Sequence, residues 1–201
     1  MKKLIYIVTL VVLIISGCSG RNQHKIAEPV KIIFDTDLGP DYDDVGALAF
    51  LHAMADSGKS EILATLSSNK HELVAPSIDV INTWFGRPDI PIGAPAAQGP
   101  SLASSQGWAD SIVASYPHNI KSTSEAEDAV RIYRRILSTQ PDNSVTIITV
   151  GFLTNLRDLL KSGPDAISPL TGSELIAEKV EKLVSMAGSF PRGREFNVFI
   201  D

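Results

Sequence analysis

The sequence predicts an α/β fold, a mainly parallel sheet with crossover helices in an open Rossmann-like arrangement. From Val30 onward, short β-branched runs alternate with longer amphipathic stretches. No internal repeat or low-complexity block interrupts them, and the short runs lead into loops that open helices. In such sheets the ligand usually sits at the carboxyl ends of the strands.

In chain order, Val30 to Phe34 is apolar apart from Lys31 and reads as a buried strand, followed by a helix over Asp44 to Ala55 with Val45, Leu48, Ala49 and His52 at helical spacing. A second strand is expected at Ile62 to Leu66 and a helix over Glu72 to Trp84. Pro88, Pro91 and Pro95 break the chain around the apolar stretch Ile90 to Gly93, and residues 93–107, rich in Gly, Pro and Ser, read as loop. Helix is expected again over Ser124 to Ser138, strand over Ser144 to Val150, a short helix over Thr154 to Lys161, and strand over Val180 to Ala187. Trp84 and Trp108 read as core or loop anchors and His71 as a loop residue.

The amino end carries a different signal. Met1-Lys2-Lys3 precedes an unbroken apolar run from Leu4 to Ile15, too short to span a bilayer comfortably, which closes on Ile15-Ser16-Gly17-Cys18. That pattern resembles a bacterial lipoprotein cleavage box, with residues 1–17 as signal peptide and Cys18 as the lipidated residue. Residues 18–29 then form a polar tether and residues 30–201 the domain. The expectation is an exported bacterial lipoprotein, held to a membrane in the periplasm or at the cell surface through the lipid on Cys18. Cys18 is the sole cysteine, which excludes an internal disulfide. Loss of Lys2 and Lys3 leaves 16 basic and 23 acidic residues, net −7 with histidine neutral. No basic stripe remains to neutralise phosphates, so nucleic acid is disfavoured as a partner.

The most informative segment is Asp35-Thr36-Asp37-Leu38-Gly39-Pro40-Asp41-Tyr42-Asp43-Asp44, five carboxylates in ten residues directly after an apolar strand. Carboxylates this close raise one another's pKa and stay ionised only against a cation or strong hydrogen-bond donors. An all-oxygen set suits a hard divalent ion, calcium before magnesium because no phosphate-binding loop accompanies it. Helix capping and solvated loop acids account for one or two of the five. An EF-hand is excluded by Pro40 where its loop needs glycine, by Gly46 where it needs glutamate, and by the preceding strand. A haloacid-dehalogenase-type phosphatase would use Asp35 as nucleophile and leave Asp41, Asp43 and Asp44 without a role.

An apolar strand, Asp35 to Gly39, then Asp43 to Leu48 is similar to the opening of the inosine/uridine-preferring nucleoside hydrolases. Ser68-Asn69, the run Gly151-Phe152-Leu153-Thr154-Asn155-Leu156, and Met186-Ala187-Gly188 with Glu195-Phe196-Asn197 follow in that family's order. The resemblance implies calcium-assisted hydrolysis of the N-glycosidic bond of a ribonucleoside. Asp37 would be calcium ligand and base for the attacking water. Asp44 and the Thr154 carbonyl would be further ligands, and Asp43 a ligand or a holder of the ribose hydroxyls together with Asn69, Glu195 and Asn197. Pro40-Asp41 lengthens the acidic loop by two residues relative to the usual spacing, which makes Asp41 an alternative to Asp43. The resemblance also implies a continuation of roughly another hundred residues with a late His-Asp pair, so an incomplete site and little turnover are expected of residues 1–201. A lipid-tethered nucleoside or sugar binder without catalysis is the alternative from another class, and either a monomer or a homo-oligomer fits.

Overall fold

The computed structural model describes residues 28–39 and 41–200; the expected signal segment and Cys18 lie outside them. Six strands form one sheet: β1 (Val30–Thr36), β2 (Ser60–Ser67), β3 (Ile92–Ala94), β4 (Glu127–Asp128), β5 (Val145–Thr149) and β6 (Val180–Ser185). Their order is β4-β3-β2-β1-β5-β6, and every pairing is parallel.

The alternation of β1 explains why both faces carry helices. Ile32 and Phe34 pack to one side with α1 (Asp43–Asp56) and α2 (Val74–Trp84), through Leu48, Leu51, Ile78 and Ile81. Ile33 packs to the other with α4 (Ala129–Thr139), α5 (Thr154–Lys161) and α6 (Gly172–Lys179), through Ile132, Tyr133, Leu159 and Leu175. Two-sided burial is what a parallel sheet requires, and it matches the near-continuous apolar run read from residues 30–34. From β1 the chain moves outward through β2, β3 and β4, then returns to place β5 on the other flank of β1. A topological switch point therefore lies between β1 and β5, the usual place for a ligand crevice.

Several elements differ from expectation for local reasons. The helix expected from Ser124 starts at Ala129, because Thr123–Glu125 is a single 3-10 turn, Glu127–Asp128 joins the sheet, and the Asp128 side chain accepts from Val130 N as the helix cap. Gly93 and Ala94, read as loop, are strand: a Cβ on Gly93 would lie 2.9 Å from the Ala129 Cα, so the close passage of α4 selects glycine. Helix α3 (Trp108–Ser115) and the short α7 (Phe196–Ile200) were not anticipated. Neither was α6, although Thr171 and Glu174 make a reciprocal capping box that the Thr-x-x-Glu pattern announces. Trp84 stays exposed with Tyr116 edge-on at 5.5 Å, whereas Trp108 packs against the α1–α2 core.

Candidate active site

The acidic loop begins where β1 ends. Thr36 Oγ1 accepts from Leu38 N at 3.0 Å and donates in a short hydrogen bond to Asp44 Oδ2, which also accepts from Leu38 N at 3.2 Å. The chain thus folds back on itself so that the first turn of α1 lies against the end of β1. Leu38 takes a positive φ of 41° there, with its side chain 1 % exposed in the core. Such a conformation is costly for a non-glycine residue, and the buried anchor together with the two hydrogen bonds holds it in place.

This fold-back buries two carboxylates together. Asp37 is 6 % and Asp44 3 % exposed. Burial, then the Asp44 charge, pushes the Asp37 carboxyl up to about 9. Burial also raises Asp44, to about 6, against hydrogen bonds from Thr36 and Asp37 that hold it down. Asp41 and Asp43 remain exposed at the rim, where a hydrogen bond to Asp43 raises Asp41. This loop contributes Asp37, Asp41, Asp43 and Asp44 to a cleft of about 240 Å³ whose lining is completed by Val150, Met186, Glu195, Phe196 and Asn197. Of the residues expected in the site, Asp37, Asp43, Asp44, Glu195 and Asn197 converge on this cleft.

Asn197 reaches it in a particular way. Its Nδ2 donates to the Val150 and Met186 carbonyls at 2.9 and 3.2 Å, which ties α7 to the ends of β5 and β6. Glu195 accepts from Val198 N at 3.2 Å in the same turn. Asn69 and Thr154 are buried nearby but do not line the cleft. The Asn69 amide is engaged on backbone throughout: Nδ2 donates to the Asp37 and Leu102 carbonyls, and Oδ1 accepts from His71 N and Leu102 N. Thr154 is the first residue of α5, at the carboxyl end of β5. Among the described residues no three or more His, Cys, Asp or Glu side chains are grouped to hold a metal ion. Sequence reasoning missed Thr36, whose hydroxyl orients Asp44, and the apolar wall of Val150, Met186 and Phe196. The signal for that wall lay in the neighbours of residues already singled out.

Asp35 points away from the cleft. It is fully buried, accepts from Tyr133 Oη at 2.9 Å and from Asn155 Nδ2 at 3.1 and 3.2 Å, and burial raises its carboxyl to about 7. A nucleophile must be reachable, so the phosphatase reading that relied on Asp35 is not favoured.

The family described as inosine-uridine preferring nucleoside hydrolase matches residues 32–201. The inosine-uridine preferring nucleoside hydrolase of Leishmania major is 26% identical over 183 residues, covering 86% of this chain and 54% of the relative. The solved plant nucleoside hydrolase PpNRh1 is similar in fold at a TM-score of 0.59 and 22% identity, over 86% of this chain and 54% of that one. The type III effector XopQ, solved with adenosine diphosphate ribose, is similar in fold at a TM-score of 0.59 and 18% identity, over 84% and 47%. The chain spans about half the length of the relatives it matches. With the acidic loop at the switch point of a parallel sheet and a family match over nearly the whole described region, the chain belongs to the inosine-uridine preferring nucleoside hydrolase family.

Proposed function

We propose that the protein hydrolyses the N-glycosidic bond of ribonucleosides with the help of a calcium ion, as a lipoprotein tethered to a membrane through Cys18. The observation that carries the catalytic part is the pair Asp37 and Asp44, buried side by side and facing Glu195 and Asn197 across one cleft.

The donor chemistry of that pair fits a hard cation. Two buried carboxylates repel each other, and the influences that shift their acidity are burial, hydrogen bonds and the neighbouring acids Asp41 and Asp43. Asp37 and Asp44 would hold the ion, with the Thr154 carbonyl and Asp43 or Asp41 as further oxygen donors. When bound, calcium supplies the positive charge that keeps both carboxylates ionised and eases proton loss from the attacking water. Asp37 then takes the proton from that water as its oxygen bonds to the anomeric carbon and the bond from carbon to the base nitrogen breaks, the electron pair leaving with the base, which gains a proton from solvent. Positive charge develops on the sugar as the base departs, and the neighbouring carboxylates stabilise it more than they stabilise the neutral substrate. Glu195, Asp43 and Asn197 line the cleft and would meet ribose hydroxyls, while Val150, Met186 and Phe196 would give the sugar an apolar wall.

The test is release of free base from inosine and uridine by the protein in the full length that its reading frame encodes. Activity is expected to vanish on thorough chelation and return with calcium. Turnover that survives chelation overturns the metal assignment, and nucleoside binding without base release supports a binder instead. The tether is tested separately: Cys18→Ser is expected to move the protein from the membrane to the soluble fraction, and equal partitioning of both forms would refute lipidation.

A further inference from the structure

Three segments carry residues to which the family resemblance gives a role: the loop after β1 with Asp37, the turn after β2 with Asn69, and the start of α5 with Thr154. One side chain links all three. Asn155, 1 % exposed, donates from Nδ2 to both carboxylate oxygens of Asp35 at 3.1 and 3.2 Å and to the Ser67 carbonyl at 2.8 Å. Asp35 precedes Asp37 by two residues, Ser67 precedes Asn69 by two, and Thr154 is bonded to Asn155 itself.

The surrounding bonds make these short links stiff. The Asp35 carbonyl accepts from Val150 N at 2.9 Å, which pins β1 to the end of β5. Ser67 Oγ donates to the Asn69 carbonyl at 2.6 Å and accepts from Asn69 N at 3.1 Å, so displacement of Ser67 carries Asn69 with it. The two hydrogens of a carboxamide lie in one plane at a fixed angle. When both are used, they set the separation of two acceptors more narrowly than apolar packing does. Asp35 also stands on the face of β1 that Ile33 shares with an apolar cluster, where an aliphatic side chain would cost less to bury.

We propose that Asn155, anchored on Asp35, is a positioning residue that sets the spacing of the Asp37, Asn69 and Thr154 segments. Its consequence for cation and sugar binding rests on the function proposed above; the geometric claim does not. Groups that orient ligand-bearing segments commonly change metal affinity about 10–100-fold when removed, without touching the metal.

Asn155→Leu preserves the approximate shape and removes both donors. Tyr133→Phe serves as the control, since it takes one hydrogen bond from Asp35 and leaves the three-way link in place. Amide hydrogen exchange at Leu38 and Asn69, together with calcium titration, distinguishes positioning from bulk stability. In Asn155→Leu, exchange is expected to accelerate at both amides together and calcium affinity to fall about 10–100-fold. Tyr133→Phe is expected to lower the Tm and leave both readouts unchanged. Should Asn155→Leu fail to fold, Asp35→Asn, which gives up one acceptor oxygen, is expected to change both readouts in the same direction. Exchange at Leu38 and Asn69 within about twofold of wild type in a folded Asn155 or Asp35 variant would overturn the proposal, as would equal effects from Tyr133→Phe. A wild-type protein that binds no calcium would refute the metal assignment, and exchange would still decide the positioning claim.

Discussion

Asp37 shows how a candidate site residue is held at a cost. Its carboxyl is raised from the ordinary 3.8 to about 9, so without a cation the folded state binds a proton that the unfolded state releases across the intervening range. Stability therefore falls as pH rises from about 4 towards 9. Asp37→Asn is expected to raise the Tm of calcium-free protein at pH 8 and yet lower kcat by about 10²–10⁴-fold, with a smaller change in KM. Differential scanning calorimetry with added chelator and steady-state kinetics with calcium check the two halves. Five acids in ten residues made an oxygen-rich loop legible, and the family resemblance singled out Asp37 within it, but the part played by Thr36 was not legible. A threonine in a strand is ordinary, and only the fold-back of the loop brings its hydroxyl to Asp44.

At the scale of elements, the ends of β1 and β5 are packed without spare room. A Cβ on Gly151 would lie 2.1 Å from Asp37 N, 2.5 Å from Ser68 Oγ and 2.7 Å from the Thr36 carbonyl carbon. Backbone cannot retreat from such contacts cheaply, so Gly151→Ala must push the loop after β5 away from the loop after β1. A displacement of about 1 Å at a catalytic group can cost about a hundredfold in rate. Loss of at least that order in kcat/KM is the expected result, with a folded protein by circular dichroism. A second structural device lies on the opposite face of the sheet. Arg134, 2 % exposed, donates to Asp165, to Ser162 Oγ and to the Ser168 and Leu170 carbonyls, binding the loop between α5 and α6. Arg134→Met is expected to destabilise by about 1–3 kcal/mol for each carbonyl left unsatisfied, measured by urea unfolding. The helical pattern places Arg134 on α4, but its burial depends on partners 28 to 36 residues away.

For the molecule as a whole, pH acts through groups far from the cleft as well. His52, on the buried face of α1, is fully buried and stacked on Phe85 at 4.6 Å. Its Nε2 pairs with Asn82 Oδ1 at 3.0 Å, while Nδ1 faces Arg87 Nη1 at 3.4 Å and the Arg87–Asp56 ion pair lies alongside. Burial holds its pKa below the ordinary 6.5. The unfolded chain therefore gains a proton first on acidification, and stability is lost as pH falls from about 6.5 through the depressed folded value. The raised acids Asp35, Asp37 and Asp44 act in the opposite sense, so the His52 contribution is the difference between wild type and His52→Gln. The variant is expected to lose less Tm than wild type between about pH 7 and pH 5, and equal losses would remove His52 from the pH response. The sheet is unevenly covered: β1, β2 and β5 are buried, whereas β6 exposes Leu183 at 56% and Val184 at 47%.

What the sequence by itself determined was the set of candidate chemical groups and their order along the chain. Short β-branched apolar runs and period-3.6 stretches gave the alternating strands and helices, and the acids after β1 gave an oxygen-rich loop at a strand's carboxyl end, because both signals are local. The tertiary structure decided which of those residues share a space. Strand order put β5 rather than β3 beside β1, and that placed Val150 and the turn bearing Glu195 and Asn197 opposite Asp37 and Asp44. It also turned Asp35 to the far face and set Asn69 on backbone partners, outcomes that depend on contacts 32 to 120 residues apart. A carboxylate's role follows from what is packed around it, and that packing is fixed only when distant segments close on the same core.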